Sequence, residues 1–159
     1  MKTASMNVGD LKQLVQLIIE KATKLKNKHT EEKNATVNYA CVFSQSPEEY
    51  EALLSAARKL GSVVKETSTG PLFRVEPLQT VSGPLQLLKV RAPDKTRPER
   101  GDADFTVADY PAFKKGNLDR PGFKLIEREE FEMIELMDPE FNVRAYFSHP
   151  PLDQQLGLV

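Results

Sequence analysis

Cysteine and histidine are scarce in this sequence: Cys41 is the only thiol, and His29 and His149 are the only imidazoles. One thiol forms no intramolecular disulfide and no thiolate metal cluster. Charge of one sign is also lacking, since 22 basic residues stand against 23 acidic ones. That balance supplies none of the positive field that nucleic acids and anionic membranes are drawn to, so neither is expected as a partner. No apolar run approaches membrane-spanning length, and no charged-then-apolar segment opens the chain, which together lead to the expectation of a cytoplasmic protein. A Gly-rich phosphate loop, a His-Glu metal motif and a Ser-nucleophile turn are absent as well. What remains is a chain of 159 residues, a length at which one domain buries about 68–70% of its unfolded surface.

The stretch "DLKQLVQLIIEKATKLK", residues 10–26, carries Leu11, Leu14, Val15, Ile18, Ala22 and Leu25 at the spacing that lays one apolar stripe along a helix. Asp10 is the expected N-cap. The stripe calls for burial on the rest of the chain or on a second copy of itself, and the polar "NKHTEEKNAT" after it reads as a linker. Residues 1–35 are therefore expected as a helical appendage with its linker.

From Thr36 the period changes. "TVNYACVF" reads as a strand, and "SPEEYEALLSAARKLG" as a helix with Ser46 as N-cap, Pro47 at the first helical position and Gly61 as its stop. "SVVKET", "PLFRVEPL" and "LQLLKVRA" follow as three antiparallel strands. The order then repeats. "GDADFTV" is a strand, "DYPAFKKGNL" a short helix capped by Asp109, and "FKLIERE", "FEMIELM" and "NVRAYFS" three more strands. The expected fold is α+β, with β-α-β-β-β modules at 36–92 and 101–148, a connection at 93–100 and a Pro-rich tail at 149–159.

Tandem modules of this order, with "MDPEFN" at 137–142 between the last two strands, resemble the vicinal oxygen chelate superfamily of glyoxalases, bleomycin-resistance proteins and extradiol dioxygenases. The resemblance spans about 110 residues from Thr36 to Ser148. It implies that the modules curl one mixed sheet into a cup, that a small molecule binds inside, and that modules pair within or between chains, so a homodimer is expected. It also implies a metal ligand, His or Glu, at one position on each of four strands. Carried over, those positions fall at Asn38 (or Tyr39, one residue along), Lys89, Asp102 and Ala145. Of these, Asp102 alone is a residue that binds metal readily, so no resident metal is expected.

Alternation on "GDADFTV" sends Asp102, Asp104 and Thr106 to one face and Ala103, Phe105 and Val107 to the other. The apolar set belongs in the core, so the acids are expected inside the cup. There they either face water or meet Lys89 across the cup in an ion pair that holds the site shut or receives a polar ligand. On "NVRAYFS" either Arg144 and Tyr146 or Ala145 and Phe147 point inward, and a one-residue slip exchanges them. On "FEMIELM" the set Phe131, Met133, Glu135 and Met137 is expected to face the core, bringing Glu135 inside as a candidate functional carboxylate. Residues 89–101 hold five basic against two acidic residues and read as a solvated loop or an anion site. Cys41 is expected as a buried, inert thiol. The Arg-Gly-Asp tripeptide at 100–102 is read as a chance occurrence.

The expected function is binding of a small polar or anionic molecule by Asn38, Lys89, Asp102, Asp104 and Arg144, without a cofactor. The alternative is a divalent-metal-dependent isomerase or lyase using oxygen ligands around Asp102, with Glu135 as a further donor. A third is a structural module that dimerises through the N-terminal stripe.

Overall fold

The computed structural model of the chain describes residues 6–158. Helix α1, Val8–His29, starts one turn earlier than the apolar stripe, because Asn7 caps it. The Asn7 side chain accepts from the Asp10 amide at 2.7 Å, while the Asp10 carboxylate accepts from the Asn7 amide at 3.2 Å. Asp10 is thus the third helical residue of a reciprocal capping box, not the cap itself.

The helix is not an appendage. Leu11, Val15, Ile18, Ile19, Ala22 and Leu25 are buried in the same cluster as Val42, Phe105, Val143 and Phe147 of the sheet, so the stripe is covered within the chain. Leu17, beside the stripe, stays 45% exposed. Lys26 at the end of the stripe is fully buried; its ammonium donates to the Glu32 carbonyl and the Asn27 side chain and lies 5.3 Å from the centre of the Phe105 ring.

The remaining elements follow the two-module order: β1 (Thr36–Phe43), α2 (Pro47–Leu60), β2 (Gly61–Thr67), β3 (Gly70–Thr80) and β4 (Gly83–Arg91), then β5 (Gly101–Thr106), α3 (Tyr110–Asn117), β6 (Phe123–Glu127), β7 (Glu132–Leu136) and β8 (Val143–His149). Ser46 and Asp109 each accept a backbone N–H three residues on, and each is followed by a proline within the first turn. A four-residue helix, α4 (Leu152–Gln155), follows β8.

All eight strands form one mixed sheet in the order β2-β3-β4-β1-β5-β8-β7-β6. In each half the first strand lies parallel to the fourth, β1 to β4 and β5 to β8, and the two first strands meet antiparallel at the centre. The core lies on the face carrying α1, α2 and α3, where Ala40, Val42, Leu88, Val90, Ala103, Phe105, Ala145 and Phe147 gather. Alternation then sends the polar residues of the central strands to the opposite face. A bulge between Val37 and Tyr39 shifts the pairing of β1 with β5 by one residue.

Gly101, at the seam, has no room for a side chain: a Cβ there falls 2.3 Å from the Cys41 carbonyl and 2.8 Å from Ile18. Arg100 is held in a bidentate pair with Glu49 at 2.7 and 2.9 Å, and Asp102 is buried. The tripeptide is therefore built into the fold rather than displayed.

Candidate functional site

Cross-strand register assembles the polar face in two rows. Lys89 stands opposite Cys41, Cys41 opposite Asp102, and Asp102 opposite Arg144, across β4, β1, β5 and β8. One step along, Tyr39 stands opposite Asp104, Asp104 opposite Tyr146, and Tyr146 opposite Glu135, across β1, β5, β8 and β7. The five expected binding residues, Asn38, Lys89, Asp102, Asp104 and Arg144, all lie on or beside these rows.

The two aspartates do not face water. Asp102 is 6% exposed and Asp104 3%. Neighbouring strands enclose them on both sides, and the connection at 93–100 and the C-terminal tail fold over the ends of the face. Asp104 is compensated: it accepts from the Ser148 amide at 3.0 Å, from the Ser148 hydroxyl, and from the Asn38 side chain at 3.3 Å. Burial pushes its carboxyl up to about 6, against the pull of those hydrogen bonds. Asp102 has no such help. Its Oδ1 is buried without a partner among the described residues, and burial, reinforced by the Asp104 charge, pushes its carboxyl up to about 7 while Arg97, Lys89 and Arg91 draw it down.

Nor do Lys89 and Asp102 form the expected bridge. Strand β1 runs between them, and Cys41 occupies the intervening place. The Lys89 ammonium donates instead to the Thr69 hydroxyl, and burial lowers its pKa. Among the described residues it has no carboxylate partner. The Cys41 thiol is buried and held protonated, because desolvation raises its pKa.

On β8 it is Arg144 and Tyr146 that point to the polar face, whereas Ala145 pairs with Ala103 and packs in the core. The carried-over position at Ala145 is thus one residue out of register. The Arg144 guanidinium donates to Glu99 at 2.9 Å, to Glu135 at 3.2 Å and to the Thr96 carbonyl at 3.2 Å. The Tyr146 hydroxyl donates to Glu135 at 2.6 Å and accepts from Arg97 at 3.1 Å. Glu135 is buried as expected from its strand, but Met133 and Glu135 share the polar face while Ile134 and Leu136 face the core.

The connection at 93–100 is not a solvated loop. Arg97 enters the polar face and lies 5.8 Å from the centre of the Phe43 ring, Glu99 reaches Arg144, and Arg91 holds Asp94. Sequence reasoning left Arg97, Glu99 and Ser148 out of the site. Ser148 was detectable, because it continues the alternation of Arg144 and Tyr146; the loop residues carry no such signal.

These side chains do not fit a divalent cation. Glu135 is bound by an arginine and a tyrosine, Asp104 by serine and asparagine donors, and Asp102 is approached by Lys89, Arg91 and Arg97. Strand β8 separates Asp102 from Glu135. Among the described residues no three His, Cys, Asp or Glu side chains come together as a metal site. His29 bonds Asp138 at the end of α1, and His149 stacks on Tyr110 with centroids 4.6 Å apart, so neither reaches the polar face.

A cavity of about 220 Å³ opens on this face. Tyr39, Lys89, Asp104 and Ser148 supply its polar lining, with Lys65 and Thr67 from β2. Leu72, Phe131, Met133 and Leu152 supply apolar walls, and Gln155 closes one side.

Compared with protein-family models and with curated proteins, the sequence matches none. The fold has a solved counterpart. The chain is similar to a structural-genomics protein, EC4020, with a TM-score of 0.72 and 12% identity over 99% of this chain and 98% of that one. A likeness at that identity speaks to fold alone, and it covers α1 and the tail as well as the two modules.

Proposed function

We propose that the protein binds a small anionic molecule, a carboxylic acid, in the cup of a vicinal-oxygen-chelate-like sheet, with Lys89 in place of a metal. The cup reading is supported by the reach of the cavity. Its lining draws on β2, β3, β4, β1, β5, β8 and β7. In a flat sheet with strands about 4.8 Å apart, β2 and β7 lie roughly 29 Å from one another. One cavity of about 220 Å³ touches both only if the sheet curls around it.

The observation that carries the binding reading is Lys89. It is a half-buried ammonium in the cavity lining with one hydroxyl partner and, among the described residues, no carboxylate partner; Tyr39 and Ser148 line the same cavity. A buried cation is stable only when paired, and an incoming carboxylate supplies the missing charge. The apolar walls suit a short hydrocarbon part. The volume lies below the roughly 300–1,000 Å³ of sites for drug-sized ligands, which limits the ligand to a small metabolite.

A thermal-shift series of small mono- and dicarboxylic acids tests this. At least one acid raises the melting temperature, by mass action on the folded state, and Lys89→Ala abolishes the rise. A series with no response, or a response that survives Lys89→Ala, removes the reading.

A further inference from the structure

Helix α4 lies across the polar face as a wall shared by two cavities. Leu152 and Gln155 line the one that holds Lys89, of about 220 Å³, and Pro151, Asp153 and Gln154 line a second of about 330 Å³. The helix is held loosely for an element in that position. None of its residues is buried, and among the described residues a single hydrogen bond joins it to the sheet, from the Leu152 amide to the Asn38 side chain at 3.4 Å. Its remaining bonds stay within the tail, including that from Gln155 to the Pro150 carbonyl.

The second cavity has its own cation, exposed and unpaired among the described residues. Arg74 of β3 lines it beside Gln86 and Thr106, and no carboxylate among the described residues lies within ion-pair distance of that guanidinium. The tail sets Leu152 among the apolar walls of the first cavity and Asp153 on the cavity that Arg74 lines. What α4 lends to this face is therefore an apolar stub and a carboxylate.

We infer that α4 is a displaceable occupant of the site, and that the ligand that replaces it is an elongated dicarboxylate running from Lys89 to Arg74. The inference rests on the binding reading above. Register gives the span. Leu72 pairs with Lys89, and Arg74 lies two residues along β3 from Leu72. One strand across and two residues along separates the two Cα atoms by about 8 Å, and because the Lys89 ammonium leans toward Thr69, away from Arg74, the two charged heads call for a long diacid of about six carbons rather than a two-carbon one. A guanidinium fork and an ammonium each take one carboxylate. While α4 is seated, part of the binding free energy goes into moving it, and the apparent affinity falls by the fraction of molecules in which the trough is open.

Calorimetric titration with adipate, and with hexanoate as the one-headed comparison, decides the matter on the full chain and on Leu152→Gly. Adipate is expected to bind Leu152→Gly about tenfold more tightly than the unaltered chain. Adding Arg74→Ala to that variant weakens adipate and leaves hexanoate unchanged. In the unaltered chain, saturating adipate speeds hydrogen exchange of the 152–158 amides, a readout that needs no variant to fold. Equal adipate affinity in the two chains, or tail exchange indifferent to adipate, overturns the displaceable occupant even where Lys89-dependent hexanoate binding persists and the binding reading stands. Binding that is indifferent to Lys89→Ala overturns the binding reading instead. Absence of adipate binding to both chains overturns the inference outright.

Discussion

The two halves of the polar face come from the same β-α-β-β-β order and use their charges in opposite ways. In the second module Arg144, Glu135 and Tyr146 are joined to one another and, through Glu99 and Arg97, to the connection at 93–100. Asp104 is likewise engaged by Ser148 and Asn38. In the first module Arg91 holds Asp94, but Lys89 has one hydroxyl, and Lys65 and Arg74 have no carboxylate partner among the described residues. Between the halves sits Asp102, with its unpartnered oxygen. A polar group already paired inside the chain has little left to offer a ligand, so the wired side chains read as scaffold and the unpaired ones as the charge that receives it.

Removing Arg144 is the severest test of that contrast. Arg144→Met leaves Glu135 and Glu99 without their cation in a buried setting, and breaking such a pair from one side costs about 3–5 kcal/mol. Urea denaturation is expected to show a loss of that size, with part of it regained when Glu135→Gln removes the stranded charge. A loss below about 1 kcal/mol puts the network among ordinary surface pairs and dissolves the contrast.

Asp102, at the seam, is expected to respond to pH rather than to simple removal. Its folded carboxyl is pushed up to about 7, above that of an unfolded aspartate. Below the unfolded value both states hold the proton; as pH rises from about 4 to about 7 the unfolded aspartate ionises while the buried one keeps its proton, so stability is lost across that window and levels off above it. Asp102→Asn therefore raises stability at pH 8 by on the order of 2–4 kcal/mol and changes it little at pH 4. Melting curves of the two proteins across that range check the sign. A variant less stable than the parent at pH 8 means that Asp102 is paired in solution.

Local signals carried well into the structure, and pairings over distance did not. Ser46 with Pro47 and Asp109 with Pro111 mark helix starts by chemistry that sits within one turn, and the period of "GDADFTV" sets Asp102 and Asp104 on the face opposite the core, whereas the face expected in the core on "FEMIELM" is the wrong one, since Ile134 and Leu136 face the core. The register of β8 was undecidable, since one residue of slip at the turn after Asn142 exchanges Arg144 for Ala145. The bulge at Asn38 had the same effect on β1, setting both Asn38 and Tyr39 beside Asp104. Residues 93–100 looked like a wet loop because their partners, Tyr146 and Arg144, lie some 45 to 49 positions away. Helix α1 read as an appendage because an apolar stripe states that it needs cover without saying whose. The tail carries four helical residues, too few for any periodicity.

The smallest effect on stability, and the sharpest on binding, is expected at Lys89. Since no carboxylate among the described residues is ion-paired with this ammonium, Lys89→Met breaks no salt bridge, Arg97 and Arg91 still draw on Asp102, and its methylenes are replaced by a side chain of similar length. Desolvation already works against the charge, which lowers the Lys89 pKa, so the exchange is expected to shift stability by no more than about 1 kcal/mol in either direction. The same variant is expected to lose the thermal response to carboxylic acids. A stability loss near that of Arg144→Met shows instead that Lys89 is paired within the chain, and both halves of the face then belong to the scaffold.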